Sequence, residues 1–339
     1  MTAAGFVQFD MVSRALLRPE DGADLDVWTS ELAFPGKDGH TKFIELAAFS
    51  YYAPEEKMPR EIEALWSLSS RGQDYHKVVK NRLVAYSQYK KSTLSPHENQ
   101  ADQVTYTCFV DTQPLSERRL AKLAGLGWIG KNQNLFINGI GSFIYIGVIY
   151  WQGPESLVEN FLALSEIQEP KESQCGLCKR CVDACPGQAL TEEGGYDVKA
   201  CVSYLTQRKE TPSKKQMESM GSHLYGCDVC QRVCPYNEDV PETTIEEFAW
   251  TKEEAREEAD EFLRLSNGEL KELHGHRSGS WRGWNVLRRN ALINVYNKRR
   301  KQIDDEEWAR ILAEVPKDSP LIRELIDQGL YDLVEGSPF

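Results

Sequence analysis

The sequence predicts an α+β protein with a cysteine-rich cofactor domain in the middle and a small helical layer at the end. Three observations point there. Apolar, strand-like runs alternate with helical stretches from Lys42 to about Trp151; eight of the nine cysteines fall between Cys175 and Cys234; and apolar residues recur at helical spacing near the C-terminus. The 339 residues suffice for two or three domains. The expected division is residues 1–165, 166–240 and 241–339.

Residues 1–41 are rich in Asp, Gly and Pro and carry little periodicity. Residues 42–52 and 103–110 read as strands because β-branched and aromatic side chains dominate them, and 141–150 reads as a buried strand. Between them, residues 74–87 and 115–123 have helical spacing, the second opened by Pro114 and closed by Gly125. Residues 153–173, polar and punctuated by Pro154 and Pro170, read as a linker. Residues 175–237 are short of aliphatic side chains and need a cofactor to complete a core. Beyond them, Trp284, Leu287, Ala291 and Val295 define one helical face, and Leu321, Ile322, Leu325 and Leu330 another.

The balance of 40 Lys and Arg against 52 Asp and Glu gives a net charge of −12, which disfavours indiscriminate binding to phosphate backbones. Basic charge is concentrated locally: residues 271–301 hold nine Lys and Arg against one acid. The longest strongly apolar run, Phe143 to Trp151, is far shorter than the ~20 residues of a spanning helix. No export signal is visible, so a cytoplasmic protein is expected.

The cysteine pattern carries the chemistry. Cys175-x-x-Cys178-x-x-Cys181-x-x-x-Cys185-Pro186 is the bacterial ferredoxin run, whose fourth cysteine ligates the other cluster. Cys201 and then Cys227-x-x-Cys230-x-x-x-Cys234-Pro235 form a second set. The crossing rule assigns Cys175, Cys178, Cys181 and Cys234 to one 4Fe-4S cluster and Cys185, Cys201, Cys227 and Cys230 to the other. Paired zinc sites are the alternative, although this spacing is unusual for zinc. Cys108 stands apart and reads as a small buried hydrophobe. Gly125-Leu126-Gly127-Trp128-Ile129-Gly130 follows a helix, so it is not a dinucleotide fingerprint.

Several segments resemble one family: Arg71-Gly72-Gln73-Asp74-Tyr75-His76-Lys77, Phe109-Val110-Asp111-Thr112 with Glu117-Arg118, Gly125 to Asn132, Gly141-Ser142-Phe143, Cys201 to Thr206 and Tyr225 to Cys230. Together, over roughly residues 42–300, they are similar to the epoxyqueuosine reductase (QueG) family. The resemblance implies a cobalamin-dependent oxidoreductase that converts epoxyqueuosine to queuosine in the wobble position of tRNA, the last step of queuosine biosynthesis. It implies a nitroreductase-like cobalamin domain, two 4Fe-4S clusters fed by an external electron donor, and HEAT-like helices that help hold the anticodon stem-loop.

On this resemblance Asp111 is the catalytic acid, protonating the departing epoxide oxygen with a carboxyl whose burial is expected to raise its pKa. Capping the next helix is the plainer role for it. Tyr75, His76, Gly127, Gly130, Lys131, Gly141 and Ser142 are the candidate cofactor contacts, with packing the plainer role for the glycines. Arg282, Arg288 and Arg289, with Trp281 and Trp284 among them, are the candidate tRNA contacts. The chain departs from the family pattern at Gly187-Gln188-Ala189, at Gln73 and in its N-terminal element. Alternatives are a cobalamin-dependent reductive dehalogenase and a ferredoxin-like electron carrier.

Overall fold

Two long strands, buried on both faces, organise the N-terminal half. Residues 43–50 and 145–153 are buried at every position, as β-branched and aromatic runs of this kind require. The computed structural model describes residues 13–17, 40–53, 65–94, 103–112, 115–154, 171–250, 259–299, 302–315 and 319–327. The chain forms two interleaved units rather than three consecutive domains: Met1–Tyr52, Tyr75–Cys178 and Cys234–Glu247 make the first, and Ala53–Asp74, Lys179–Val233 and Phe248–Phe339 the second. The expected boundary at residue 165, most of the expected linker and Leu330 lie outside the described residues.

The first unit is built on a four-stranded sheet ordered Ser13–Leu17, His40–Ser50, Ile144–Pro154, Thr105–Phe109, antiparallel throughout. The three strands expected from sequence are all there, each shifted by a few residues. The Tyr75–Leu94 helix comes so close to the sheet that a Cβ at Gly147 would lie 2.6 Å from Leu83 Cδ1. Within this core Glu45 is fully buried and compensated. It accepts from Tyr86 Oη (2.7 Å), Lys90 Nζ (2.9 Å) and Trp151 Nε1 (3.0 Å), and the Lys90 ammonium also lies over the Trp151 ring. A charge removed from water needs such partners. Cys108 is buried as expected, and burial pushes its thiol up to about 11.

In the second unit, Leu65–Trp66 pairs in parallel with His223–Tyr225, and the Trp284–Arg299 helix forms the centre of the core. Leu287, Ala291 and Val295 are buried, as the spacing predicts. Arg288 and Arg289 are buried too, which corrects their assignment to an outward, RNA-facing surface. Arg288 donates to the carbonyls of Phe262 and Leu265. Arg289, 0% exposed, donates to those of Arg208 (2.7 Å), Glu210 (2.9 Å) and Leu205 (3.0 Å). Asn290 bonds the carbonyls of Thr206 and Leu224. The last carbonyls of the Val202–Gln207 helix lack intrahelical partners, and Arg289 and Asn290 supply them for Leu205 and Thr206. Among the described residues no helix is long and apolar enough to cross a membrane.

Candidate active site and cluster ligands

Asp111 stands two residues past the Thr105–Phe109 strand, in the first unit, with φ 48°. The left-handed region is sparsely populated by residues other than glycine, and held examples concentrate at functional sites. Two bonds hold it. Tyr75 Oη donates to Asp111 Oδ2 at 2.7 Å, and the Asp111 N–H donates to Glu117 Oε1 at 2.6 Å. Tyr75 is fixed by stacking, 4.2 Å from Tyr145 at 5° and 4.0 Å from His76 at 26°. The structure therefore brings Tyr75, His76 and Asp111 together, as the sequence suggested.

Two details differ from expectation. Asp111 is exposed rather than buried, and the more sheltered carboxyl beside it is the half-buried Glu117, which desolvation pushes up to about 7. The Asp111 amide and the charges of Arg118 and His76 oppose that rise, while the Asp111 charge adds to it. Asp111 is also not the cap of the following helix, because Ser116 occupies the N-cap position of Glu117–Leu123. Glu117 lay within a motif legible in the sequence. Only its fold-back onto the Asp111 amide distinguishes it from an ordinary first-turn acid.

The remaining cofactor candidates have work inside the first unit. A Cβ at Gly127 would sit 2.1 Å from the Phe136 carbonyl oxygen, one at Gly130 2.8 Å from the Phe136 ring, and one at Gly141 (φ 80°) 2.4 Å from Asn237 Oδ1. Packing thus accounts for glycine at these three positions. Ser142 is buried, its N–H donating to Asn237 Oδ1 (2.7 Å) and its Oγ accepting from Asn237 Nδ2 (2.9 Å). Lys131 Nζ donates to the carbonyls of Gly176 (2.9 Å) and Cys178 (3.1 Å), and its N–H points at Cys175 Sγ (3.4 Å). It braces the first cysteine loop.

Cys175, Cys178 and Cys234 belong to the first unit, and Cys181, Cys185, Cys201, Cys227 and Cys230 to the second. Within the second unit, Cys185 and Cys201 both lie within electrostatic reach of Cys227 and Cys230. Burial is the main cause that pushes the Cys227 thiol up to about 12 and raises Cys230 as well, with Cys201 and Cys185 adding to both. The crossing rule expects Cys185 beside these cysteines. Cys185 Sγ also accepts from the Ala189 N–H at 3.3 Å. Gly187 is obligatory, since a Cβ there would lie 1.9 Å from the Ala200 carbonyl oxygen, beside Cys201. Gln188 takes the left-handed conformation, φ 52°. Such a donor set, four thiols with amide N–H groups aimed at sulfur, fits an iron–sulfur cluster.

Of the basic run, Arg282 remains at the surface of the second unit, half-buried with its guanidinium 4.0 Å over the Trp281 ring. Trp281 is 61% exposed, yet its indole N–H is fixed by a 3.1 Å bond to Tyr225 Oη.

Comparison with known proteins follows the same lines. Residues 40–112 match the family model described as epoxyqueuosine reductase QueG, DUF1730, and residues 174–237 match a 4Fe-4S double cluster binding domain. An epoxyqueuosine reductase of Bacillus anthracis is 34% identical over 261 residues, 77% of this chain and 63% of that protein. One of Bacillus cereus is 32% identical over 295 residues, 86% of this chain and 70% of that protein. The chain thus aligns with about two thirds of the length of these relatives. A crystal structure of epoxyqueuosine reductase with an epoxyqueuosine-modified tRNA-Tyr stem loop superposes with a TM-score of 0.77 at 27% identity, covering 95% of this chain and 86% of that one. A Bacillus subtilis epoxyqueuosine reductase, with its catalytic aspartate loop swung out of the active site, superposes with a TM-score of 0.76 at 26% identity, over 95% of this chain and 86% of that one.

Proposed function

The chain belongs to the epoxyqueuosine reductase family, and we propose that it reduces epoxyqueuosine in the wobble position of tRNA to queuosine. The observation that carries this reading is a double-cluster domain joined in one chain to the family's N-terminal segment, with Asp111 held in place beside Tyr75 and His76. The reaction takes up two electrons and two protons, leaves a carbon–carbon double bond and releases water.

Two 4Fe-4S clusters, on Cys175, Cys178, Cys181 and Cys234 and on Cys185, Cys201, Cys227 and Cys230, would pass electrons one at a time from an external donor. Cobalamin, when bound, supplies a strongly reducing metal centre for attack on carbon. The flat stack of Tyr145, Tyr75 and His76 beside Asp111 suits a large planar ring, so Tyr75 and His76 are the residues proposed to face it. Gly127, Gly130, Lys131, Gly141 and Ser142 are left to packing and to the cysteine loop. Asp111 would deliver the proton to the departing oxygen, its carboxyl steered by the Tyr75 hydroxyl.

In this reading the first unit is the nitroreductase-like domain and the C-terminal helices are HEAT-like. The tRNA contact proposed in the second unit is Arg282 with Trp281, an exposed aromatic face backed by a cation, suited to an unpaired base and its phosphate. The proposed setting is the cytoplasm. Nucleoside analysis of tRNA after incubation with the chemically reduced protein and cobalamin tests the function. Queuosine should appear at the expense of its epoxide; no conversion by protein with full iron and sulfide content would refute it.

A further inference from the structure

We propose that Glu117 is a positioning residue for this reaction, a latch whose carboxylate holds the Asp111 backbone in its left-handed conformation and so keeps the Asp111 carboxyl against Tyr75. The proposal rests on the reading of Asp111 as the proton donor. Its basis is three facts of geometry in the first unit. Asp111 has φ 48°, in a region that residues with a Cβ occupy uncommonly, Asp and Asn more often than the rest, and that a fixed partner stabilises. The Glu117 carboxylate reaches back six residues, past the N-cap of its own helix, to accept from the Asp111 N–H at 2.6 Å. The Asp111 side chain is exposed, so packing does not hold it, and its other bond, from Tyr75 Oη, acts on the carboxylate rather than on the backbone.

The two bonds have different tasks. Tyr75 sets where the carboxylate points once the backbone is in place. Glu117 sets the backbone itself, because the direction of the Asp111 N–H is fixed by the dihedrals on either side of it. Released from Glu117, Asp111 can relax to the extended region, which carries its carboxyl away from the Tyr75 hydroxyl. Desolvation of this half-buried carboxyl raises it to about 7, and the Asp111 amide is the largest of the influences that hold it down.

The test uses Glu117→Ala and Glu117→Gln in the full chain with its clusters, read in two independent ways. Amide hydrogen exchange at Asp111 should speed up at least tenfold in Glu117→Ala and stay near the wild-type rate in Glu117→Gln, whose side-chain oxygen still accepts. With an epoxyqueuosine stem-loop substrate, kcat should fall ten- to a hundredfold in Glu117→Ala while KM and iron content hold, and Glu117→Gln should recover most of kcat. If Glu117→Ala does not fold, Glu117→Leu fills the same space without an acceptor and should give the same two losses. Unchanged exchange and kcat in Glu117→Ala or Glu117→Leu would overturn the latch, as would a Glu117→Gln variant as impaired as these. Wild-type protein that exchanges slowly at Asp111 but forms no queuosine would sink the proposed function and leave the latch itself standing.

Discussion

Arg289→Ala should collapse a cluster site, not an RNA surface. The guanidinium is 0% exposed and makes three bonds to main-chain carbonyls, at 2.7, 2.9 and 3.0 Å. Burial pulls it down to about 10, so it still carries its charge at neutral pH. Its removal leaves three buried acceptors, each costing about 1–3 kcal/mol unless water reaches it. Partial refilling by water brings the expected loss to about 3–5 kcal/mol, a large share of the roughly 5–15 kcal/mol that holds a domain together. For a unit of this size that corresponds to a fall of roughly 6–20 °C in Tm. One of the freed carbonyls is that of Leu205, in the helix that starts directly after Cys201. Iron should therefore be lost from the Cys185, Cys201, Cys227 and Cys230 site before the unit melts. Circular dichroism with heating, together with iron and sulfide analysis, reads both effects. A variant with unchanged Tm and iron but weakened tRNA binding would refute the argument and return Arg289 to the RNA-facing surface.

Asp111→Asn should keep both clusters while turnover falls by two or more orders of magnitude, about 2.7 kcal/mol or more in the barrier; near-normal turnover removes Asp111 from the chemistry. Cys234→Ser should spare the cluster on Cys185, Cys201, Cys227 and Cys230 and damage the other, and paramagnetic resonance showing the reverse would mean that the ligands do not cross. Trp281→Ala should weaken tRNA binding by about 1–3 kcal/mol, and Arg282→Ala should reduce the log–log salt slope by roughly 0.7–0.9; unchanged binding in both places the RNA elsewhere. His274 is buried against Phe262, and desolvation, helped by the charges of Arg277 and His276, lowers it from 6.5 to about 4. The unfolded chain therefore takes up this proton first, and stability is lost as pH falls from 6.5 towards 4, by roughly 3 kcal/mol in full. Urea midpoints at pH 5 and pH 8 should differ less in His274→Phe than in the wild type, and an equal difference would exclude His274.

The strands were legible because burial on both faces calls for a largely apolar run, and 43–50 and 145–153 are such runs, broken chiefly by the compensated Glu45 and by Gln152. Their order was not, since pairing His40–Ser50 with Ile144–Pro154 across a long separation leaves no local mark. The same holds for Leu65–Trp66, which joins His223–Tyr225 in the second unit instead of the chain segments around it. The double-cluster domain was legible because cysteine spacing is a property of the sequence itself, and residues 174–237 match such a domain.

Arg288 and Arg289 show where charge misleads. An apolar face of Trp284, Leu287, Ala291 and Val295 suggested that the opposite side met water. That inference holds only for a helix packed on one side. Leu292 and Ile293 extend the apolar character around the Trp284–Arg299 helix, and both are fully buried. A helix enclosed all round can carry arginine only where acceptors wait for it, and the carbonyls of Leu205, Arg208 and Glu210 are those acceptors. Arg282 meets the opposite condition. It precedes the helix, and its partner is an exposed indole rather than a cage of carbonyls. What separates Arg289 from Arg282 is the supply of buried acceptors, which comes from residues some eighty positions away and leaves no trace in the local spacing.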